Sequence, residues 1–540
     1  VETTVKNLPK SDRAVGTGTH LRMLARACAV GALALALAGC ASLPRADQAP
    51  RARNVIVMIN DGAGWGTWDA AAYWQYGRRD GAPYAAFPAR YGMTTFPLNT
   101  DGAPSGDSAS RIGYDAARAW DVAATGDLVL PFAGYRYLAE AATDSAAAGT
   151  ALASGVKTYN SAINHDNHGD PVEPVSFLAK AQGKATGVVT SVPFSHATPA
   201  AFGAQNASRN AYHEIARQML SEGRLDLIMG TGAPGFDVNG IACDASAANG
   251  GGTGCDAPDQ FMAIADWTRL AAGRYGADEG GHRWRLIRER AEFVALADGS
   301  LRVDGPLIGL PEVAMTLQQA READVVGRDP ATASGTAPVA TVPSLATMTR
   351  GALRHLQARS DAGLFLMVEG GATDWAAHTS RCGTEWNYGA CGSEPEYGRL
   401  IEETVDFNDA VAEVVAWVEA HSSWDETLLV VTTDHDNSIP LGPDAQAQPF
   451  QPVANRGKGR MPGITFRRTG GHANGLVPLW ARGAGAEHFA ALVRGRDPGY
   501  ARHVGLNDGS YVDNTDVARL VRAALAGERP MRSTDAINAR

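Results

Sequence analysis

The chain has 540 residues, 45% hydrophobic and 20% charged, enough apolar material for a large core and too much for a disordered chain. Its formal net charge is −10, from 48 basic and 58 acidic side chains, so it lacks the basic footprint that nucleic-acid binding requires. Anionic small substrates are not excluded, because bound divalent cations reverse a local field.

Residues 1–39 read as an export signal. Arg22 and Arg26 precede an apolar run from Ala29 to Gly39, which is too short to span a bilayer comfortably. The run ends in Leu37-Ala-Gly-Cys40, the form of a bacterial lipoprotein processing site. The expected mature chain begins at Cys40, lipidated on its thiol and exported to the periplasm or outer membrane. Residues 40–53 then form a tether. The first methionine, Met23, is an alternative start that would leave residues 1–22 as a misassigned extension. An ordinary secretory signal, with Cys40 there by chance, is the plainer alternative. The remaining close cysteine pairs, Cys243 with Cys255 and Cys382 with Cys391, flank short loops and predict two local disulfides in an exported chain. A zinc knuckle would need a C-x-x-C spacing that neither pair has.

From residue 54 onward, strand-like and helix-like patterns alternate, which predicts one doubly wound α/β domain over 54–540. Gly/Pro/Ala-rich stretches at 97–127, 242–258, 326–343 and 439–463 read as surface insertions. The first strand is Val55-Ile-Val-Met-Ile59, followed by Asp61 in Asn60-Asp-Gly-Ala-Gly64. Next comes Thr143-Asp-Ser145, heading a helix of small residues. Its free N–H groups and positive dipole end favour phosphate. Asn164-His-Asp-Asn-His168 follows no clear strand and reads as a polar loop, and His213 and His282 read as structural. Further strands are expected at 186–190 and 225–229. Leu364-Phe-Leu-Met-Val368 is a strand that delivers Glu369. Five residues on, Asp374 and His378 share one helical face as a two-ligand clamp. A helix over 402–420 leads into Leu428-Leu-Val-Val-Thr-Thr433, which delivers Asp434 and His435. Thr469-Gly-Gly-His472 adds an imidazole, and Val477-Pro-Leu-Trp480 is a last short strand.

In an open parallel sheet, strand ends converge at the carboxyl edge, where ligands bind. Asp61, Asp374 and Asp434, with His378, His435 and His472, are enough for two zinc sites. With Ser145, they point to metal-assisted phosphoryl transfer.

These motifs, in this order, resemble the alkaline phosphatase family from about residue 53 to residue 525. The likeness rests on Asp61-Gly, Thr143-Asp-Ser145, Gly155-Val-Lys-Thr-Tyr-Asn160, Ala197-Thr-Pro-Ala200 with Ser208-Arg209, Glu369-Gly, Asp374 with His378, Asp434-His435 and Gly471-His472. It implies a three-layer fold around a large, mostly parallel sheet, in a chain that can form a homodimer. It implies hydrolysis of small phosphate monoesters through a phosphoserine on Ser145, with Arg209 gripping the phosphate. Asp374, His378 and His472 would hold one zinc, and Asp61, Asp434 and His435 the second. Asp61, Thr198 and Glu369 would hold a third ion, magnesium. Two positions depart from many bacterial members: Trp375 stands where those have Lys, and His196 where they have Asp. The first removes a positive charge near the phosphate, and the second is expected to join or perturb the third metal site. The rival readings are a phosphodiesterase or other hydrolase using the same centre, and a non-enzymatic zinc- or phosphate-binding lipoprotein. No cysteine stands in the C-x-P-x-R setting of sulfatases.

Overall fold

Uninterrupted apolar runs belong to strands buried on both faces. The computed structural model describes residues 51–109, 112–243, 259–276, 283–378, 397–467 and 470–530. They fall in one compact unit, Ala49–Arg540. The strands in chain order are β1 (Asn54–Ile59), β2 (Ala89–Thr94), β3 (Ala185–Pro193), β4 (Leu227–Thr231), β5 (Arg285–Ile287), β6 (Leu307–Gly309), β7 (Leu364–Glu369) and β8 (Thr427–Thr432). Four short strands follow: β9 (Asp436–Asn437), β10 (Pro440–Leu441), β11 (Thr465–Phe466) and β12 (His472–Ala473). The last three are β13 (Val477–Gly483), β14 (Gly495–Arg496) and β15 (Ser510–Asp513).

Eleven strands form one sheet in the order β14-β15-β2-β13-β8-β1-β7-β3-β4-β6-β5. From β8 through to β5 all neighbours run parallel, while β13 is antiparallel to both β8 and β2. Alternate residues of each central strand enter separate cores. Val55, Val57 and Ile59 pack with Phe365, Met367, Leu428 and Val430 on one face, against the helices Ser145–Ser154, Val175–Ala181 and Thr515–Ala526. Ile56 and Met58 pack with Leu366, Val368, Leu429 and Val431 on the other, against Leu345–Gln357 and Tyr397–His421. The mostly parallel sheet between two helical layers is the expected architecture.

Several details differ from expectation. Strands β2, β5, β6, β14 and β15 carry no long apolar run and have no local signature; sheet pairing makes them strands. The stretch 439–463 is not simply surface, since Leu441, Ala445, Phe450 and Val453 are buried. Val339 and Val342, in the 326–343 stretch, are buried as well. Gly/Pro-rich composition signals irregular backbone, and irregular backbone can still pack. Of the four cysteines in the expected disulfides, Cys243 is described, while Cys255, Cys382 and Cys391 lie outside the described residues, as do Met23, Cys40, His282 and Thr469.

The helix Tyr397–His421 carries an ionisable group with a testable cost. Glu403 is buried, and burial together with the neighbouring Asp406 pushes its carboxyl up to about 8, against the lowering effect of Arg321. Between its unfolded value and about 8, the folded state keeps a proton that the unfolded state has lost, so stability falls as pH rises through that window. Glu403→Gln is therefore expected to raise Tm by about 2–4 °C or more at pH 9 and to change it little at pH 5. Thermal unfolding at the two pH values checks this, and an equal shift at both would contradict it.

Candidate metal centre and active site

Register brings the expected ligands to one edge. Ile59 at the end of β1 pairs with Glu369 of β7 and Thr432 of β8, so three chains leave the sheet side by side. Thr190 of β3 pairs with Glu369 on the far side of β7. Asp61 stands two residues past β1. Gly62 then turns with φ +67°, and a Cβ there would come 2.6 Å from Asp374 Oδ1. Only glycine accepts both the turn and this approach. His472 reaches the centre because β12 pairs with β9, setting His472 opposite Asn437.

Asp434 Oδ1 accepts hydrogen bonds from the backbone N–H groups of Gly62 (3.1 Å) and His435 (2.9 Å). Its Oδ2 is buried without a hydrogen-bond partner and lies 3.2 Å from His435 Nε2. Asp61 Oδ1, also buried and without a hydrogen-bond partner, lies 3.5 Å from the same nitrogen. Ligand atoms of Asp61, Asp434 and His435 fall within 4.8 Å of one another, as do those of Asp374, His435 and His472. His378 joins the second set. Its Nε2 is 3.2 Å from Asp374 Oδ2 and 3.1 Å from His472 Nε2, and His472 Nε2 is 3.4 Å from Asp374 Oδ1. The two sets are thus one connected centre that shares His435. His472 Nδ1 donates to the carbonyl of Thr143 (2.8 Å), which turns the Nε2 lone pair inward. Asn437, which sequence reasoning missed, donates to Asp374 Oδ1 (2.7 Å).

Glu369 is fully buried. Its Oε2 accepts from the Thr190 hydroxyl, and its Oε1 has no hydrogen-bond partner. Thr198 Oγ1 lies 3.4 Å from Asp61 Oδ2, which links Asp61, Thr198 and Glu369 into a third group. Thr190 also escaped the sequence reading, since a threonine inside an apolar strand carries no sign of its partner.

Ionisation is strained in this cluster. Burial and the charges of Asp434, Asp374 and Glu369 push the Asp61 carboxyl well above its usual range. Burial pushes Glu369 up to about 6. Burial would raise Asp374 too, but His378 and His472 more than offset it and hold it well below. Burial drives His435 down to about 4. Acceptor atoms aimed at common points without donors, and buried carboxylates that resist ionising alone, fit divalent cations. The oxygen and imidazole donor sets suit zinc and, at Asp61, Thr198 and Glu369, a harder ion.

Ser145 begins the helix Ser145–Ser154, and Asp144 caps that helix by accepting from Ala147 N (2.9 Å). Ser145 is buried, with Oγ 3.2 Å from His435 Nε2. The helix needs its small residues: a Cβ on Gly149 would lie 3.0 Å from Ala201 Cβ of the Ala197–Ala201 helix. Arg209 is buried and held at both ends of its fork, by Asp144 Oδ2 (3.1 Å) and by His196 Nε2 (3.1 Å). A guanidinium only donates, so His196 Nε2 accepts and the ring proton sits on Nδ1. His196 Nε2 is thus turned to Arg209, while the ring still acts on Glu369 of the third group through its charge. Its ring stands edge-on to Trp375, with centroids 5.5 Å apart. Ser145, Arg209, His196, Trp375, Asp374, His378 and His472 face a cavity of about 290 Å³. A larger cavity of about 830 Å³, lined by Arg302, Arg354 and Arg359, lies at the amino ends of β6 and β7, away from this chemistry. Asn164–His168 takes no part in the metal groups among the described residues.

Fold and centre together define an α/β protein that sets a buried serine beside clustered side chains able to hold metal ions. The chain belongs to the alkaline phosphatase family: the family model described as Alkaline phosphatase matches residues 135–457. It is similar to alkaline phosphatase 4 of Bacillus subtilis, 30% identical over 298 residues, 54% of this chain and 49% of that one. It is similar to an alkaline phosphatase of Escherichia fergusonii, 29% identical over 405 residues, 71% of this chain and 74% of that one. The matched region thus spans about half the length of the first relative. The solved Thermus thermophilus alkaline phosphatase shares the fold, with TM-score 0.54 and 21% identity over 93% of this chain and 100% of that one.

Proposed function

We propose that the protein hydrolyses phosphate monoesters through a phosphoserine on Ser145, releasing inorganic phosphate. One observation carries this reading. Ser145 Oγ stands at a capped helix N-terminus, 3.2 Å from a metal-type imidazole, and faces a cavity that Arg209 also lines. Two zinc ions would be held by Asp374, His378 and His472 and by Asp61, Asp434 and His435, and one magnesium ion by Asp61, Thr198 and Glu369. Bound there, such cations supply Lewis acidity and lower the pKa of hydroxyl groups they meet.

The chain's own residues do the rest. Ser145 Oγ attacks phosphorus as the ester oxygen departs with the alcohol. Water then breaks the Oγ–P bond, freeing phosphate and restoring the serine. Helix N–H groups favour the phosphate's charge. Arg209 is oriented by Asp144 and His196 at the cavity wall, where its guanidinium would donate to non-bridging phosphate oxygens. Trp375, buried against Val192 and Tyr212, replaces a cation with an apolar wall. The same proposal places the enzyme outside the cytoplasm, lipid-anchored at Cys40, on the sequence signal alone.

Arg209 separates this reading from a diesterase sharing the centre. A diester has lost one of the oxygens that the fork matches. Removing a charge-assisted hydrogen bond costs about 1.5–3 kcal/mol, or roughly one to two decades in rate. Arg209→Ser is expected to lower kcat/KM for monoesters by that much and for diesters much less. Equal losses, or a wild-type preference for diesters, would move the assignment to the diesterase.

A further inference from the structure

The polar loop Asn164–His168 is tied to both the protein body and the rim of the active-site cavity. On the body side, Asn164 is buried and donates to the carbonyls of Ala201 (2.7 Å) and Ala204 (2.8 Å), at the end of the helix that carries Thr198. On the rim side, Asn167 is buried and holds the segment 99–108 through every polar group of its side chain. Its Oδ1 accepts from Asn99 Nδ2 (2.7 Å) and Ser105 N (3.1 Å). Its Nδ2 donates to Ser105 Oγ (2.7 Å) and the Asp107 carbonyl (2.8 Å). Its own carbonyl accepts from Gly106 N (2.8 Å). The carbonyl of Asn99 accepts from Asn160 N (3.2 Å), which joins the same segment to a residue of the cavity wall.

The segment held in this way places Thr100 and Gly102 in the cavity wall. Both are exposed, as is Asn210 of the same wall, whereas Ser145 and Arg209 in that wall are buried. A phosphoryl group on Ser145 occupies the buried end, so the alcohol part of a substrate must extend towards this rim. A hydroxyl, an amide and the Trp375 ring suit a neutral, hydroxyl-bearing alcohol.

We propose that Asn167 is a positioning residue for substrate selection: it fixes Thr100 and Gly102 as the rim that recognises the alcohol part of a sugar-like phosphate monoester. This rests on the phosphomonoesterase reading above. An isolated Asn on a loop more often serves only the loop; here its bonds end on Asn99 and on Ser105–Asp107, the residues on either side of Thr100 and Gly102 in the cavity wall.

Three ligands test it: a hexose 6-phosphate, whose alcohol part reaches the rim; methyl phosphate, whose alcohol part cannot; and inorganic phosphate as inhibitor. Asn167→Ala should raise KM for the hexose phosphate about five- to tenfold. KM for methyl phosphate and Ki for phosphate should stay within about twofold. Gly102→Trp is a second variant. Gly102 is exposed and a Cβ there meets nothing within 4 Å, so a larger side chain is tolerated at the rim, and the variant should give the same split. If all three constants move together in either variant, or the KM for the hexose phosphate is unchanged in either, the proposal is overturned. If the wild type turns over neither ester, the phosphomonoesterase reading itself has failed, and this proposal with it.

Discussion

Ser145→Ala is expected to remove turnover by a factor on the order of 10⁴ or more while leaving the fold intact. The helix it begins is capped by Asp144, not by Ser145, and alanine is a better helix former than serine. Its hydroxyl lies 3.2 Å from His435 Nε2, a nitrogen that Asp61 and Asp434 also approach, so its loss does not leave that imidazole dependent on serine alone. Metal content should therefore be unchanged. Acid quenching of wild type during turnover of a labelled monoester, followed by mass spectrometry, should place the phosphoryl group on Ser145. Label on any other residue would defeat the assignment.

Removing metal ligands should have the next largest effect, and the geometry shapes its pattern. Asp374→Ala, His378→Ala or His472→Ala is expected to lose one zinc equivalent, and Asp434→Ala the other. His435 takes part in both ligand groups, so His435→Ala should weaken both sites, and no other single imidazole should do so. Each loss should reduce activity at least 10²-fold, since even a residue that only orients a ligand is worth 10–100-fold. Glu369→Ala should affect the third ion, with activity partly restored by excess magnesium. The sign of its pH dependence follows from burial. Glu369, held up to about 6 without metal, must lose its proton to bind, so third-ion affinity should fall as pH falls through that value. Metal analysis of the purified variants, across pH, decides each case. Unchanged zinc content in the Asp374, His378, His472, Asp434 or His435 variant would remove that residue from the zinc ligands.

The strands that carry the centre were legible because their signal is local. Val55–Ile59, Leu364–Val368 and Leu428–Thr433 are apolar throughout, and chelating residues stand where each run stops. β5 and β6, of three residues each, had no such signal, because pairing with neighbours makes them strands. The stretch 439–463 misled for a related reason: its composition reports a lack of regular structure and says nothing about burial.

By itself, the sequence determined the chemical inventory and its delivery to one edge. A buried parallel strand must end where its apolar run ends, and the residue types there limit the ions and reactions available. Tertiary structure alone decided how that inventory is shared. His196 turns to Arg209, His435 belongs to two ligand groups, and Asn167 reaches across to the 99–108 segment. Each of these contacts joins residues from different elements, and side chains far apart in sequence leave no local pattern. Their pairing is fixed only when the sheet's register and the packing of both helical layers bring their backbones to the same place.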